Sequence, residues 1–181
     1  MRLRELEDVR QRFLPERVTV LFVGESPPAG GTFFYLANSK LYEATKEAFI
    51  RAAPDLVRGS NFLERFAALG CYLDDLCLEP VNHLKMDNPL AEAKRLRLRE
   101  EGEEPLASRI RQCAPSAIVV VMKGIEANVR RAATSANFSS IVIPALPFPS
   151  WKAHREQYVD ELSNLVRSLR GRGLLRATPI N

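Results

Sequence analysis

Histidine and cysteine are scarce here: two and three residues among 181. Cys71, Cys77 and Cys113 form no CxxC pair and leave an odd count, which excludes a complete disulfide framework and fits reduced, mostly buried thiols in a reducing compartment. His83, in the stretch PVNHLKMDNP, has no second histidine and no acid and cysteine set at metal-ligand spacing beside it, so no metal site is expected. No apolar run approaches the roughly 20 residues that span a bilayer. The opening MRLRELEDVRQRF is too charged for a secretory signal. A cytoplasmic protein with no membrane partner is expected. A phosphate-cradling glycine loop is missing as well. After the first apolar run, Ser26 and Ala29 stand where GxGxxG needs glycines, and no lysine follows Gly30 or Gly31 as a P-loop requires. Pro27 and Pro28 have no backbone N–H for a phosphate, and Glu25 would repel one. This argues against an α/β nucleotide-binding enzyme of the usual kinds, and no cofactor is expected.

What is present is enough apolar residue, 46% of the chain, for one core and one domain covering residues 1–181, expected as a monomer. Four segments read as strands: VTVLFVGE (18–25), CYLDDLCL (71–78), AIVVVMKG (117–124) and SIVIPAL (140–146). The first and third are almost continuously apolar and β-branched, the mark of parallel strands covered by helices on both faces. Helical spacing falls between them at about 39–53, 60–69, 104–113 and 124–135, and again at 151–170, where Tyr158, Leu162, Leu165 and Leu169 share a stripe. The pattern specifies a three-layer α/β/α domain around a four-stranded parallel sheet. The segment KRLRLREEGEE (94–104) changes sign midway and reads as a solvated helix and loop rather than a binding face. A net charge of +4 and a pI near 9.1 permit an anionic partner without requiring one.

Two motifs fall beyond the carboxyl ends of strands, where ligands bind in open α/β sheets, so both could face one pocket. VLFVGESPPAGGTFFY (20–35) runs off a buried strand into glycine, proline, one carboxylate and three aromatic rings. Read alone, it is either a site or a structural turn with Glu25 as a cap. IPALPFPSWKAHREQYVDEL passes a proline elbow, presents Trp151, Lys152, His154 and Arg155, and enters an amphipathic helix. VGESPPAGGTFFY resembles the first motif of the uracil-DNA glycosylase superfamily, and LPFPSWKAHR resembles its second, the His-Pro-Ser-Pro-Leu loop followed by Ala-His-Arg. The order of elements agrees over roughly residues 17–170.

The resemblance implies a central four-stranded parallel sheet flanked by helices. It also implies hydrolysis of the N-glycosidic bond of a deaminated or modified base flipped out of single- or double-stranded DNA, with a free nucleobase as product. Glu25 matches the glutamate of the branch that reads Gly-Glu-Ala-Pro, implying the catalytic carboxylate. Gly24, Ser26, Pro27, Phe34 and Asp75 are implied as base-binding residues. Phe33 and Tyr35 compete with Phe34 as the stacking ring, core packing is open for all three, and Asp74 replaces Asp75 if the register slips by one. Ser150, at the position of the family's wedging leucine, and Trp151, Lys152, His154 and Arg155 are implied DNA contacts; Trp151 reads equally as a hydrophobic staple.

Two positions depart from the family pattern. Leu146, where the family has a histidine, has no hydrogen-bond donor. Asp75, where it has an asparagine, only accepts hydrogen bonds when ionised and favours an exocyclic amine over uracil O4. These departures motivate a rival expectation, a non-catalytic nucleic-acid or nucleobase-binding protein of the same fold. The iron–sulfur cluster of some branches needs four placed cysteines, so none is expected.

Overall fold

A computed structural model describes residues 3–59 and 61–176, with the side chain of Leu3 excepted. Four strands, β1 (Val20–Gly24), β2 (Cys71–Asp75), β3 (Ala117–Val120) and β4 (Val142–Ile143), form one all-parallel sheet in the order β2-β1-β3-β4. Among the described residues, seven α-helices accompany them: α1 (Leu3–Gln11), α2 (Lys40–Ala52), α3 (Phe62–Ala68), α4 (Pro89–Glu101), α5 (Glu103–Cys113), α6 (Glu126–Ser135) and α7 (Lys152–Gly171). The three-layer α/β/α architecture expected from the alternation of patterns is the one observed. Among the described residues, no helix is long and apolar enough to cross a membrane.

β1 lies inside the sheet, and every one of its side chains is buried, which is why its sequence shows no polar alternation. Phe22 turns its ring onto Phe49 of α2 and Phe66 of α3, so these helices cover one face. α7 packs along α2. Thr45 shares a 2.8 Å hydrogen bond with Tyr158, the Ser163 hydroxyl donates to Ala48 O at 3.3 Å, and Arg155 and Arg51 reach Glu47 and Asp160. α5 and α6 form the second helical pair. Because both α2 and α7 follow strands of the same parallel sheet, their N-termini emerge together at its carboxyl edge.

The strands are shorter than the apolar runs suggest, for identifiable reasons. β4 is an edge strand, and Pro144 removes the next ladder donor. Pairing persists just past β2 and β3, where Leu76, Cys77 and Val121 donate to Gly24, Glu25 and Val23. Two helices depart from expectation. α1 arises from a charged segment assigned no element, and α4 begins at Pro89 behind the Asn88 side-chain cap, well before the charge run. Ser60, the expected first residue of the second helix, lies outside the described residues; Asn61 caps α3 through its side chain.

Phe66 contacts the rings of Phe22, Phe34, Phe49 and Phe62, and its side chain is fully buried. Truncating it leaves a cavity that rings held by four elements cannot all collapse into. Phe66→Ala should lower the unfolding free energy by about 3–5 kcal/mol, read as a lower urea midpoint at unchanged slope.

Candidate functional site

The carboxyl edge of the sheet carries three buried carboxylates. Asp74 and Asp75 end β2, and Glu25 follows β1 directly. Arg10 of α1 donates from Nη1 to Asp74 Oδ1 at 2.8 Å and from Nη2 to Asp75 Oδ2 at 2.5 Å. Arg109 of α5 adds a bond to Asp74 Oδ2 at 2.6 Å and another to the Asp75 carbonyl at 2.6 Å. Arg10 also lies 5.6 Å from the centre of the Phe33 ring, and its Nε is buried without a hydrogen-bond partner. Burial pushes the Asp75 carboxyl up to about 6, with Arg10 pulling against it and Asp74 adding to it. Gly24 is required here by space alone. A Cβ at this position would sit 2.6 Å from Asp75 Oδ1.

Glu25 has its own pair of cations, both from α4. Arg95 donates from Nε to Oε1 at 2.7 Å and from Nη2 to Oε2, and Arg99 donates from Nε to Oε1 at 2.7 Å. Only 8% of the Glu25 side chain is exposed. Burial acts to raise its pKa, but hydrogen bonds from Arg95 and the charge of Arg99 outweigh burial and hold it below the ordinary 4.5. Arg99 is itself buried and continues to Gly124 O at 3.1 Å; Arg95 reaches Leu84 O at 3.0 Å. The segment 94–104 is therefore not simply a solvated face, because one side of α4 turns inward. Glu25 is doubly paired, with little of its side chain left to solvent.

The remaining first-motif residues are equally committed. The Ser26 hydroxyl accepts from Val81 N at 3.2 Å, and Pro27 is buried. Phe34 is 3% exposed, set edge-on against Tyr35 and Tyr42 and tilted against Phe66, so it belongs to the core and has no open face for a base. Phe33 and Tyr35 are as deeply buried. Tyr35 uses its hydroxyl to bind both the N–H and the carbonyl of Leu73. Leu146 is buried and continues the sheet through its N–H to Val120 O at 2.9 Å.

The second motif forms a distinct feature. An open cleft of about 520 Å³ is lined by Asn38, Ser39, Lys40, Glu43 and the stretch Pro149, Ser150, Trp151, Lys152, with Arg155. It lies where α2 and α7 begin. Trp151 is 74% exposed at the N-cap of α7, which rules out a packed staple, and no side chain caps the first turn of that helix. Lys40 crosses from α2 to donate to Ser150 O at 2.9 Å. His154 is exposed but does not line the cleft, and His83 sits on an exposed loop. None of residues 24–28 lines the cleft. The two motifs share an edge of the sheet without sharing a pocket. Sequence reasoning missed Arg10, Arg95, Arg99, Arg109 and Lys40. The helical spacing of Ala91, Arg95 and Leu98, entering the charge run from just before it, was the available signal for α4; for Arg10 it was a place in the spacing Leu3, Leu6, Arg10, Phe13.

Among the described residues, no group of three His, Cys, Asp or Glu side chains could hold a metal ion. Comparison with protein-family models, curated proteins and solved structures gives no match to this chain.

The Glu25 pairing makes a pH-dependent contribution to stability. Its folded pKa is lowered, so the stabilisation is present in full above the ordinary 4.5 and is lost as the pH falls toward the lowered value. Glu25→Gln leaves two arginines facing a neutral amide and should cost roughly 3 kcal/mol at neutral pH, the low end for removing one partner of a buried pair. Urea denaturation across pH should show this deficit constant above 4.5 and shrinking below it.

Proposed function

We propose that the protein binds DNA through the cleft between α2 and α7 and hydrolyses the N-glycosidic bond of a deaminated or modified base, uracil or a related one, as in base-excision repair. The observation that carries the binding is the composition of that cleft. Lys40, Lys152 and Arg155, the last paired with Glu47, outnumber the one lining carboxylate, Glu43, at the N-terminus of α7 beside one exposed indole, so the cations and helix dipole suit phosphate while the ring suits an unstacked base. Ser150, Trp151, Lys152 and Arg155 are the contacts; His154 flanks them. Support for the hydrolysis comes from the resemblance of both motifs and from Glu25, a carboxylate charged at neutral pH at the end of β1. Such a group stabilises positive charge on the sugar and aligns water.

A second reading, nucleic-acid or nucleobase binding without base release, is favoured by the clamp. With Arg95 and Arg99 bound, the electrostatics at Glu25 are cationic, the wrong sign for an oxocarbenium-like transition state.

Trp151 is the chain's one tryptophan, so its fluorescence reports on the cleft directly. Adding single- or double-stranded oligonucleotide should quench it. Lys152→Ala with Arg155→Ala should weaken binding at all sequences and lower the salt slope by roughly one unit for each phosphate no longer neutralised. An unchanged slope moves the DNA elsewhere, with Arg167, Arg170, Arg172 and Arg176 the next cations to test. Oligonucleotides carrying uracil, hypoxanthine, xanthine or alkylated bases, scored for abasic sites, separate the two readings. Release supports the hydrolase, binding without release supports the second reading, and neither overturns both.

A further inference from the structure

Residues 77–101 leave the sheet after β2 and return at the start of α5, and the way they are fastened suggests a moving part. The excursion closes on itself at a neck, where Gly102 packs so tightly against Leu76 that a Cβ would lie 2.5 Å from the Leu76 carbonyl oxygen. Gly102 is also the only residue between α4 and α5. Beyond the neck, the loop is anchored by Val81, which is fully buried and bonded to Ser26, and by Asn82, which accepts from Ala29 N at 3.0 Å. The excursion therefore lies across the GESPP turn.

α4 itself has little apolar attachment. Its inward stripe is Ala91, Arg95, Leu98 and Arg99; of these only Arg99 is buried, and the helix turns Leu90 and Leu96 out to solvent. A helix usually docks by an apolar stripe, whereas this one is held to the body chiefly by two guanidinium groups on one carboxylate and by Arg99 on the Gly124 carbonyl; the Arg95 bond to Leu84 O stays within the excursion. Such a fastening is strong in geometry but weak in net free energy. The attraction between buried charges is largely offset by their desolvation, and both partners regain water when they separate.

We propose that α4 is a lid over the carboxyl end of β1, hinged at Gly102 and latched by Glu25 through Arg95 and Arg99. Opening carries both arginines away with the helix and leaves Glu25 alone at the strand end, hydrated and negative. The lid thus switches the site between a cationic, closed state and an anionic, open one. Its use in base removal rests on the glycosylase reading above; the opening itself does not. Arg95 and Arg99 are positioning residues in this scheme, acting through Glu25 rather than on a substrate.

Native-state hydrogen exchange of the wild-type chain across a urea series tests the lid directly. Amides of α4 should exchange about a hundredfold faster than those of β1 and β3, with a urea dependence too small for global unfolding. Arg99→Gln removes a contact that both the opened and the unfolded chain lack, so it should speed exchange in α4 by roughly tenfold while the urea dependence there stays well below that of β3. If α4 and the sheet exchange at one rate with one urea dependence, α4 is a fixed part of the fold and the proposal is overturned. The wild-type series gives that answer even if Arg99→Gln fails to fold. A chain whose α4 opens locally but which releases no base retains the lid and loses the reaction.

Discussion

Burying carboxylates at the carboxyl edge of the sheet is the constraint on which most of this architecture depends. Asp74, Asp75 and Glu25 sit where β1 and β2 end, and a carboxylate removed from water without a partner is prohibitively unfavourable. Four arginines supply the partners, and they come from α1, α4 and α5. The positions of those helices follow. α1 lies where Arg10 can span both aspartates, α5 where Arg109 reaches Asp74, and α4 where its inward stripe meets Glu25. Even Gly24 is explained by the space that Asp75 occupies.

This arrangement divides the edge into two regions of different character. Around Glu25 and the aspartates, each carboxylate has a counter-charge and the first-motif side chains are engaged internally. Around Trp151, the N-terminus of α7 lacks a side-chain cap, an indole stands in solvent, and lysines from two helices approach one cleft. The first region satisfies its charges internally; the second leaves an indole and Lys152 facing solvent. They are joined by the β1–α2 connection, which begins at the clamp and ends at Ser39 and Lys40 in the cleft wall. The ring trio Phe33, Phe34 and Tyr35 lies between them in that same connection, fixed in the core.

Much of the fold was legible in the chain because the signals are local. β-branched apolar runs marked the two inner strands, and helical spacing marked α2, α5, α6 and α7, since burial on both faces or on one stripe leaves a periodic trace. α1 escaped because its apolar stripe, Leu6 and Val9 leading to Phe13, is set among charged residues, and its link to the aspartates is made by an arginine on that same inward side. α4 was half seen for a related reason: its inward face is largely charged, so the run around Arg95 and Arg99 looks like a solvated one. At the candidate site, the exposed elbow with Trp151 and Lys152 was legible from its proline and charge pattern. The surroundings of Phe34 and Glu25 were not, because exposure is a property of what packs over a residue.

The sequence by itself determined the parallel sheet, its helical layers and the existence of two motifs at one edge, all consequences of chain-local patterning and of the right-handed connections such patterns allow. Only the tertiary structure decided which charges meet. Arg10 and Asp75 are 65 positions apart, and Arg99 and Glu25 are 74 apart. Nothing in the local pattern of either partner names the other; pairing over such distances is chosen by where the packed helices bring a guanidinium within reach of a buried carboxylate.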